Sequence, residues 1–531
     1  LIRGVTCSGK TEIYLRWVAE TLTSGTQAIV LVPEISLTPQ MTKRFRDRFG
    51  DQVAILHSRL SEGERFDQWE LIRQGKRPVV VGARSAVFAP VPRLGTIIID
   101  EEGEPSFKQG EVPRYHAREV AAERCRLEHA LLVMGSATPT LDAYQRGVQG
   151  LYELVEMQSR VGSRLLPTVQ VVDMRLELTA KKNRSVFSEA LQSALTETLN
   201  QGQQAILYLN RRGFSSFVLC RACGEAIGCS RCKVSLVYHS GCRLLRCHYC
   251  SETRPIPTTC PTCSSKAIRY FGAGTQRLEA ETHRYFSGAR IERLDSDNVG
   301  PKGNLEEILE RFGNGQIDIL IGTQMVAKGL DFPRVTLVGI MAADSLLRLP
   351  DFKAGERNFA LLAQVAGRSG RGDIPGRVIL QTYFPEHHSI RYALTEDYLG
   401  FFTEESRLRQ ETGFPPFNHL GLFLITGENR DRVEEAGRLL AIRLRQELLD
   451  LPIHHLLGPA PAPIEMIDRR YRFQILVKHA DLQPLTEALR LSLQQSLPSG
   501  VHVAVDINPG FTLQDKDFPC HPPVPFPLPI P

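Results

Sequence analysis

Near the start of the chain, Gly4-Val5-Thr6-Cys7-Ser8-Gly9-Lys10-Thr11 has the form GxxxxGK[ST]. It constrains the fold more than any other stretch, because the pattern works only as a turn between a buried strand and a helix N-terminus. There the backbone N–H groups wrap phosphates, the lysine reaches the β- and γ-oxygens, and the threonine hydroxyl helps hold Mg²⁺. The surroundings fit, with Leu1-Ile2-Arg3 as a short apolar lead-in and Glu12-Ile13-Tyr14-Leu15 opening a helical period. A parallel α/β sheet and a nucleoside triphosphate ligand are expected. Only three residues precede the loop and the first is Leu, which reads as truncation on the N-terminal side.

A chain of 531 residues is too long for one core, since single cores seldom exceed about 250–300 residues. Residues 1–160 alternate helical segments with continuous apolar runs at 28–32, 53–56, 78–81, 96–100 and 131–134. Such runs, buried on both faces, are the mark of parallel sheet. A second series at 205–209, 291–294, 317–321, 335–340 and 377–382 defines another lobe over 204–400, with 161–203 as the connection. Into this lobe a cysteine-rich module, 215–268, is inserted. From 401 to 514 the order becomes βαββαβ, a split-βαβ, ferredoxin-like domain. Residues 515–531 form a proline-rich tail, expected to be disordered.

The fold class is therefore α/β: two RecA-like parallel-sheet lobes, a zinc-binding insertion in the second, and a C-terminal α+β domain. No run approaches the ~18 apolar residues of a spanning helix, and no charged-then-apolar leader precedes the loop. A cytoplasmic protein with no membrane partner is expected.

Ile97-Ile98-Ile99-Asp100-Glu101-Glu102 is an apolar strand ending in acids. Asp100 at the strand end can enter the Mg²⁺ shell, and Glu101 can orient or deprotonate the attacking water. An acidic turn after a strand is common alone; downstream of a P-loop it reads as the second half of a hydrolytic site. In the second lobe, Gln364-Val365-Ala366-Gly367-Arg368-Ser369-Gly370-Arg371 sets two arginines three apart. They can meet a γ-phosphate across a cleft as arginine fingers do, though without the other motifs a solvated basic turn would be the better reading.

Four CxxC knuckles, Cys220/Cys223, Cys229/Cys232, Cys247/Cys250 and Cys260/Cys263, fall within 44 residues. Each supplies two thiolates to a tetrahedral ion, so four imply two Cys₄ zinc sites, structural because no coordination position stays open. Disulfides would need an oxidising compartment, which nothing in the composition supports. Cys7, Cys125, Cys242 and Cys520 are left over, and His239 and His248 lie nearby without being needed. Residues 211–270 hold ten Lys/Arg against two Glu, a local net of +8 in a chain of +5. Thiolate-bound zinc would reduce that to about +4, still consistent with a polyanion partner.

At this point a specific resemblance emerges. GVTCSGKTEIYL, LVPEISLTPQ, VVVGARSAVFAP, IIIDEEGEPSFKQ, RYHARE, GSATPTLD, the knuckle Cys247-His248-Tyr249-Cys250, GTQMVAKGLDFPRVTLVG, LPDFKAGER, QVAGRSGR and GPAPAPIEMIDRRYRFQILVK occur in order. From Gly4 to about Pro509 the chain resembles the PriA family of primosomal replication-restart helicases. The resemblance implies an ATP-dependent superfamily 2 helicase that moves 3′ to 5′ on DNA. It also implies binding to stalled or repaired forks and single strands, primosome proteins and a replicative-helicase loader as partners, single-stranded DNA-binding protein as another, and a nucleoid-associated location. ATP, Mg²⁺ and two zinc ions are the implied cofactors.

Residue by residue, the resemblance makes Lys10 and Thr11 the phosphate and Mg²⁺ ligands and Asp100 and Glu101 the Walker B acids. Ser136, Ala137 and Thr138 couple hydrolysis to movement, and Gln364, Arg368 and Arg371 close on the γ-phosphate. Cys220, Cys223, Cys260 and Cys263 share one zinc, and Cys229, Cys232, Cys247 and Cys250 the other. Residues 104–114, with Phe107, correspond to an aromatic-rich loop where a ring could stack on an unpaired base or pack internally. Arg211, Arg212, Arg243, Arg246, Arg470 and Arg472 are candidate phosphate contacts. Other superfamily 2 translocases and a non-hydrolysing zinc scaffold at forks are the rival readings.

Three departures stand out. The family's N-terminal DNA-binding and winged-helix domains, with the adenine-contacting segment, have no counterpart. Cys7 stands where Gly is usual. Gly103 replaces a Walker B histidine, which predicts weakened coupling, and Gly103→His is expected to raise the base pairs unwound per ATP.

Overall fold

The computed structural model describes the chain apart from residues 7, 34–38, 59, 160–166, 210–215, 232–234, 240–243, 248–249, 251, 272–274, 295–303, 324–331, 349–350, 368–374, 449–451, 453–454 and 511–531. The expectations for Cys7, Cys232, Arg368, Arg371, Arg211, Arg212, Arg243 and the tail therefore lie outside the described residues.

The first lobe is a seven-stranded parallel sheet of β1 (Ile2–Gly4), β2 (Gln27–Leu31), β3 (Val53–Leu56), β4 (Val79–Gly82), β5 (Leu94–Asp100), β6 (Leu131–Ser136) and β7 (Val155–Met157). Their order is β3-β4-β2-β5-β6-β1-β7. Every residue of β2, β3 and β4 is buried, which is why these strands read as unbroken apolar runs. The order sets β1, feeding the P-loop, one strand away from β5, which delivers the acids.

The second lobe begins earlier than expected. Strand β8 (Thr168–Asp173) pairs in parallel with residues Arg377–Thr382, so 161–203 is more than a connection: it supplies an edge strand and two helices. The helix Glu189–Asn200 starts on the hydroxyl of Ser188, which accepts from the Leu191 amide at 3.2 Å, and Leu191 and Leu195 fill the core beneath Leu207 and Leu337. Strand β9 (Gln204–Leu209) follows. The inserted module then contributes β10 (Ser216–Cys220), β11 (Val237–His239), β12 (Leu244–Arg246), β13 (Thr253–Pro255) and β14 (Ile268–Phe271), an antiparallel sheet of order β13-β12-β11-β10-β14. The lobe resumes with β15 (Ile291–Leu294), β16 (Ile319–Gly322), β17 (Val335–Met341) and β18 (Arg377–Thr382), giving β15-β16-β9-β17-β18-β8, all parallel.

The C-terminal sheet contains β19 (His419–Gly427), β20 (Leu456–Ile467), β21 (Arg470–His479) and β22 (Val501–Ile507) in the order β20-β21-β19-β22, as a split-βαβ unit requires. The helices Arg430–Glu447 and Leu482–Ser492 cover one face through Val433, Leu440, Leu444, Leu485 and Leu489. The opposite face, mixed in sequence, is buried too: its Leu420, Leu422 and Leu476 pack against Phe352 of lobe two, and beside them the Lys478 ammonium donates to the Thr412 carbonyl at 2.8 Å. Arg472, at 7% exposure, is on this covered face and is no open phosphate contact. Arg246 of the insertion is likewise engaged, with Glu465 of β20. No helix among the described residues is long and apolar enough to cross a membrane.

Candidate nucleotide cleft and metal centres

Strand β1 runs into the loop, and Gly9, at φ 91°, provides the left-handed turn that starts the helix Lys10–Thr23. A side chain there would be strained, so the glycine is what lets the backbone reverse and aim its amides outward. The Lys10 ammonium donates to the Gly4 carbonyl at 2.8 Å, across the mouth of the loop. Asp100 ends β5, and the chain turns at once, with Glu101 at φ 51°, a left-handed conformation that costs a non-glycine residue about 1–2 kcal/mol. Withdrawal from water and the neighbouring Glu101 carboxylate push the Asp100 carboxyl up to about 7, against the opposing pull of Lys10. A site that concentrates negative charge in this way is prepared for a cation.

The third acid, Glu102, has a different task. It is buried, accepts from Arg118 Nη1, and holds Thr140 at both the amide (3.0 Å) and the hydroxyl (2.8 Å). The Thr140 hydroxyl also caps the helix Leu141–Val148, accepting from the Ala143 amide at 3.2 Å. Ser136, in turn, accepts from the Thr138 amide at 3.1 Å. The segment 136–140 is thereby fastened to the strand end that carries Asp100 and Glu101. The sequence reading gave neither Glu102 nor Arg118 a role; the signal was present in RYHARE, whose second arginine is Arg118.

The helix Ala354–Ala366 of lobe two faces this assembly. A cleft of about 1480 Å³ is lined by Thr6, Ser8–Thr11, Asp100, Glu101, Ser136 and Thr138 on one side and by Glu356 and Gln364 on the other. At the end of the helix Gly367 abuts the P-loop, where a Cβ would stand 2.9 Å from Thr6. Gln364 is thus beside the phosphate loop. Phe107 is not in the cleft: at 1% exposure it belongs to the core of lobe one, and its ring is closed to a base. Arg470 lies on the distant β20–β21 hairpin.

In the insertion, the ligand atoms of Cys220, Cys223, Cys260 and Cys263 converge, as do those of Cys229, Cys247 and Cys250. Sγ–Sγ separations are 3.6 Å for Cys220–Cys263, 3.7 Å for Cys223–Cys260 and 3.5 Å for Cys229–Cys250. With Zn–S bonds near 2.3 Å, the edge of a ZnS₄ tetrahedron is about 3.8 Å, so the thiols fit zinc. The outer knuckles repeat one geometry, Cys220 N donating to Glu225 O and Cys260 N to Ser265 O at 2.9 Å each. Burial opposes the Cys260 thiolate, but the amides of Cys263 and Thr262 aimed at its sulfur bring the thiol down to about 7. Outer pairs with outer and inner with inner. Free Cys125 is buried in lobe one.

Two parallel-sheet lobes closed on a P-loop, with strand-end acids and a facing glutamine, define a two-lobe P-loop motor of the helicase class. The chain is 48% identical over 514 residues to the replication restart protein PriA of Bacillus subtilis, covering 96% of this chain and 63% of that protein. It is 46% identical over 520 residues to that of Synechocystis (96% and 62%), and 40% identical over 510 residues to that of Treponema pallidum (96% and 76%). The chain belongs to the PriA replication restart family. Family signatures agree segment by segment: the DEAD/DEAH box helicase at 1–146, the helicase conserved C-terminal domain at 262–373, the PriA DNA helicase Cys-rich region at 229–255, and the primosomal protein N C-terminal domain at 410–510. The chain spans less than two thirds of the length of its Bacillus and Synechocystis relatives.

Proposed function

We propose that the chain is the motor and zinc-bearing portion of an ATP-dependent DNA helicase of replication restart, moving 3′ to 5′ and remodelling stalled or repaired forks. The observation that carries this reading is the single cleft in which Lys10, Asp100 and Glu101 from one lobe face Gln364 from the other. The amides of residues 4–11 and the Lys10 ammonium bind the phosphates. Thr11 and Asp100 would hold Mg²⁺, whose charge neutralises the β- and γ-oxygens. Glu101 orients a water and receives its proton. The water oxygen bonds to the γ-phosphorus as the bond to the β,γ-bridging oxygen breaks, releasing ADP and phosphate. Gln364, Arg368 and Arg371 stabilise the spreading charge, and Ser136 and Thr138 carry the change onward.

Two structural zinc ions complete the insertion, Cys232 joining Cys229, Cys247 and Cys250. Forked or single-stranded DNA, primosome proteins with the helicase loader, and single-stranded DNA-binding protein are the partners, in the cytoplasm and on the nucleoid. ATP hydrolysis with and without forked DNA tests the reading, on this chain and on one as long as its relatives. DNA should stimulate turnover, and Lys10→Ala should reduce it at least about a hundredfold. Turnover indifferent to DNA in both chains would overturn the proposal.

A further inference from the structure

The backbone N–H of Leu141 in lobe one donates to Glu356 Oε1 in lobe two at 2.9 Å, in a buried contact between residues 215 apart in the chain. Leu141 is the first residue of the helix Leu141–Val148, where a carboxylate is favoured by the unpaired amides and the helix dipole. The other oxygen of Glu356 accepts from Arg409 Nη2 at 2.8 Å. Arg409 Nε donates to Glu405 Oε1 at 3.0 Å, and Glu405 Oε2 lies 2.7 Å from His388 Nε2. Glu356 and Arg409 are 8% and 2% exposed. Thr140, the residue before Leu141, is the one that Glu102 holds at its amide and hydroxyl. A continuous series of hydrogen bonds and one peptide link therefore leads from the strand end bearing Asp100 and Glu101, through Glu102, Thr140 and Leu141, to Glu356.

Glu356 also shares a helix with Gln364. That helix, 13 residues in Ala354–Ala366, is about 20 Å long at 1.5 Å per residue. One end is tied through Glu356 to the segment 136–141, and the other abuts Thr6 of the P-loop. A displacement at either end must be felt at the other, because a helix of this length moves as a rigid strut.

We propose that Glu356 is the positioning residue that transmits movement of the 136–141 segment into lobe two, placing Gln364 and the residues after it against the nucleotide. The inference rests on the helicase reading and names the element that links its two lobes. Glu356→Gln retains an oxygen for the Leu141 amide but removes the charge that holds Arg409, so the link slackens while the phosphate loop is untouched. Tyr398→Phe is the comparator: it deletes another buried bond to the same segment, from the Tyr398 hydroxyl to the Pro139 carbonyl at 3.0 Å, without touching Glu356.

The experiment is steady-state ATP hydrolysis with and without forked DNA, together with thermal unfolding. Glu356→Gln should lower the ratio of the DNA-stimulated to the DNA-free kcat about tenfold, whatever the smaller change in the DNA-free rate itself. Tyr398→Phe should lower the unfolding midpoint and leave the DNA-stimulated kcat within about twofold. If Glu356→Gln does not fold, the double variant with Arg409→Gln, which removes both charges, carries the same expectation. A stimulated parent with an equally stimulated variant overturns the inference alone, as does the same loss of kcat in Tyr398→Phe. A parent that ignores DNA overturns the helicase reading itself, and the inference with it.

Discussion

The ammonium of Lys108 lies 2.7 Å from Oδ1 of Asp506, and both side chains are withdrawn from water at 9% and 7% exposure. Lys108 is in the loop between the strand-end acids and the helix Ala117–Glu128, and Asp506 is near the end of β22. Lys108 also donates to the carbonyls of Arg114 at 2.8 Å and Ile507 at 3.2 Å. The C-terminal domain thus clamps a loop of lobe one. Breaking a buried ion pair from one side costs about 3–5 kcal/mol because a charge is left unpaired. Here Arg114 Nη1, 3.9 Å from Asp506, softens that cost.

Lys108→Met is therefore expected to lower the thermal unfolding midpoint by several degrees, and Asp506→Asn added to it to recover part of the loss. A double-variant cycle that gives zero coupling energy would show that the pair contributes no mutual stabilisation.

Where sequence and structure diverge, the cause is the distance over which the deciding contact acts. Strands β2 to β5 are legible because burial on both faces leaves runs of mainly apolar residues. Strand β8, Thr-Val-Gln-Val-Val-Asp, alternates between exposed and shielded positions at the sheet edge, and so reads as a linker. The P-loop, the acids and the cysteine spacing are local chemistry, visible in any window. Glu102 and Glu356 are different: their partners lie 38 and 215 residues away, and nothing in the adjacent sequence separates them from surface acids. Phe107 and Arg472 are decided in the same way. The sequence leaves Phe107 open between stacking and internal packing and reads Arg472 as exposed, until the core of lobe one is found to enclose the ring and the covered face of the C-terminal sheet the guanidinium.

The metal centres make a separable prediction. Cys223→Ser should reduce zinc by about one ion per chain, because the inner set keeps its own ligands, and Cys229→Ser should do likewise at the other site. Metal analysis after dialysis reads both. Loss of two ions from either single substitution would mean that the sets are not independent.

A pH dependence follows from His116. Its Nδ1 accepts from the Arg118 amide at 3.2 Å and caps the helix Ala117–Glu128. Burial, then the charges of Arg118, Lys353, Lys108 and Arg146, hold the ring well below its usual range. The ring is thus neutral when folded but protonates on unfolding once the pH is below about 6.5. Between the folded value and about 6.5 the unfolded chain binds the extra proton, so stability must decline as the pH falls through that window. His116→Asn keeps a capping oxygen and removes the titration. The unfolding midpoint of the variant should vary less than the parent's between about pH 5 and 6.5; identical slopes would dismiss the histidine as the source.

Gly103 provides the last prediction, and the structure reverses the direction that the sequence suggested. A histidine in its place was expected to restore a missing link. Yet a Cβ at Gly103 would stand 3.1 Å from the Thr138 carbonyl oxygen and 3.6 Å from Cγ2 of Thr140. The link from strand end to segment 136–140 is already made next door, by Glu102 to the amide and hydroxyl of Thr140. A larger residue at 103 must push the Thr138 backbone away by a few tenths of an ångström and so disturb the bonds that do the coupling. Overpacking of this kind costs about 1–3 kcal/mol. Gly103→Ala should lower the base pairs unwound per ATP on a fork with a 3′ tail, and Gly103→His should lower it further, with basal hydrolysis largely retained since Asp100 and Glu101 are unaltered. A rise in that ratio for Gly103→His would mean that the segment yields without loss and that the cleft has room for the imidazole to bridge the lobes.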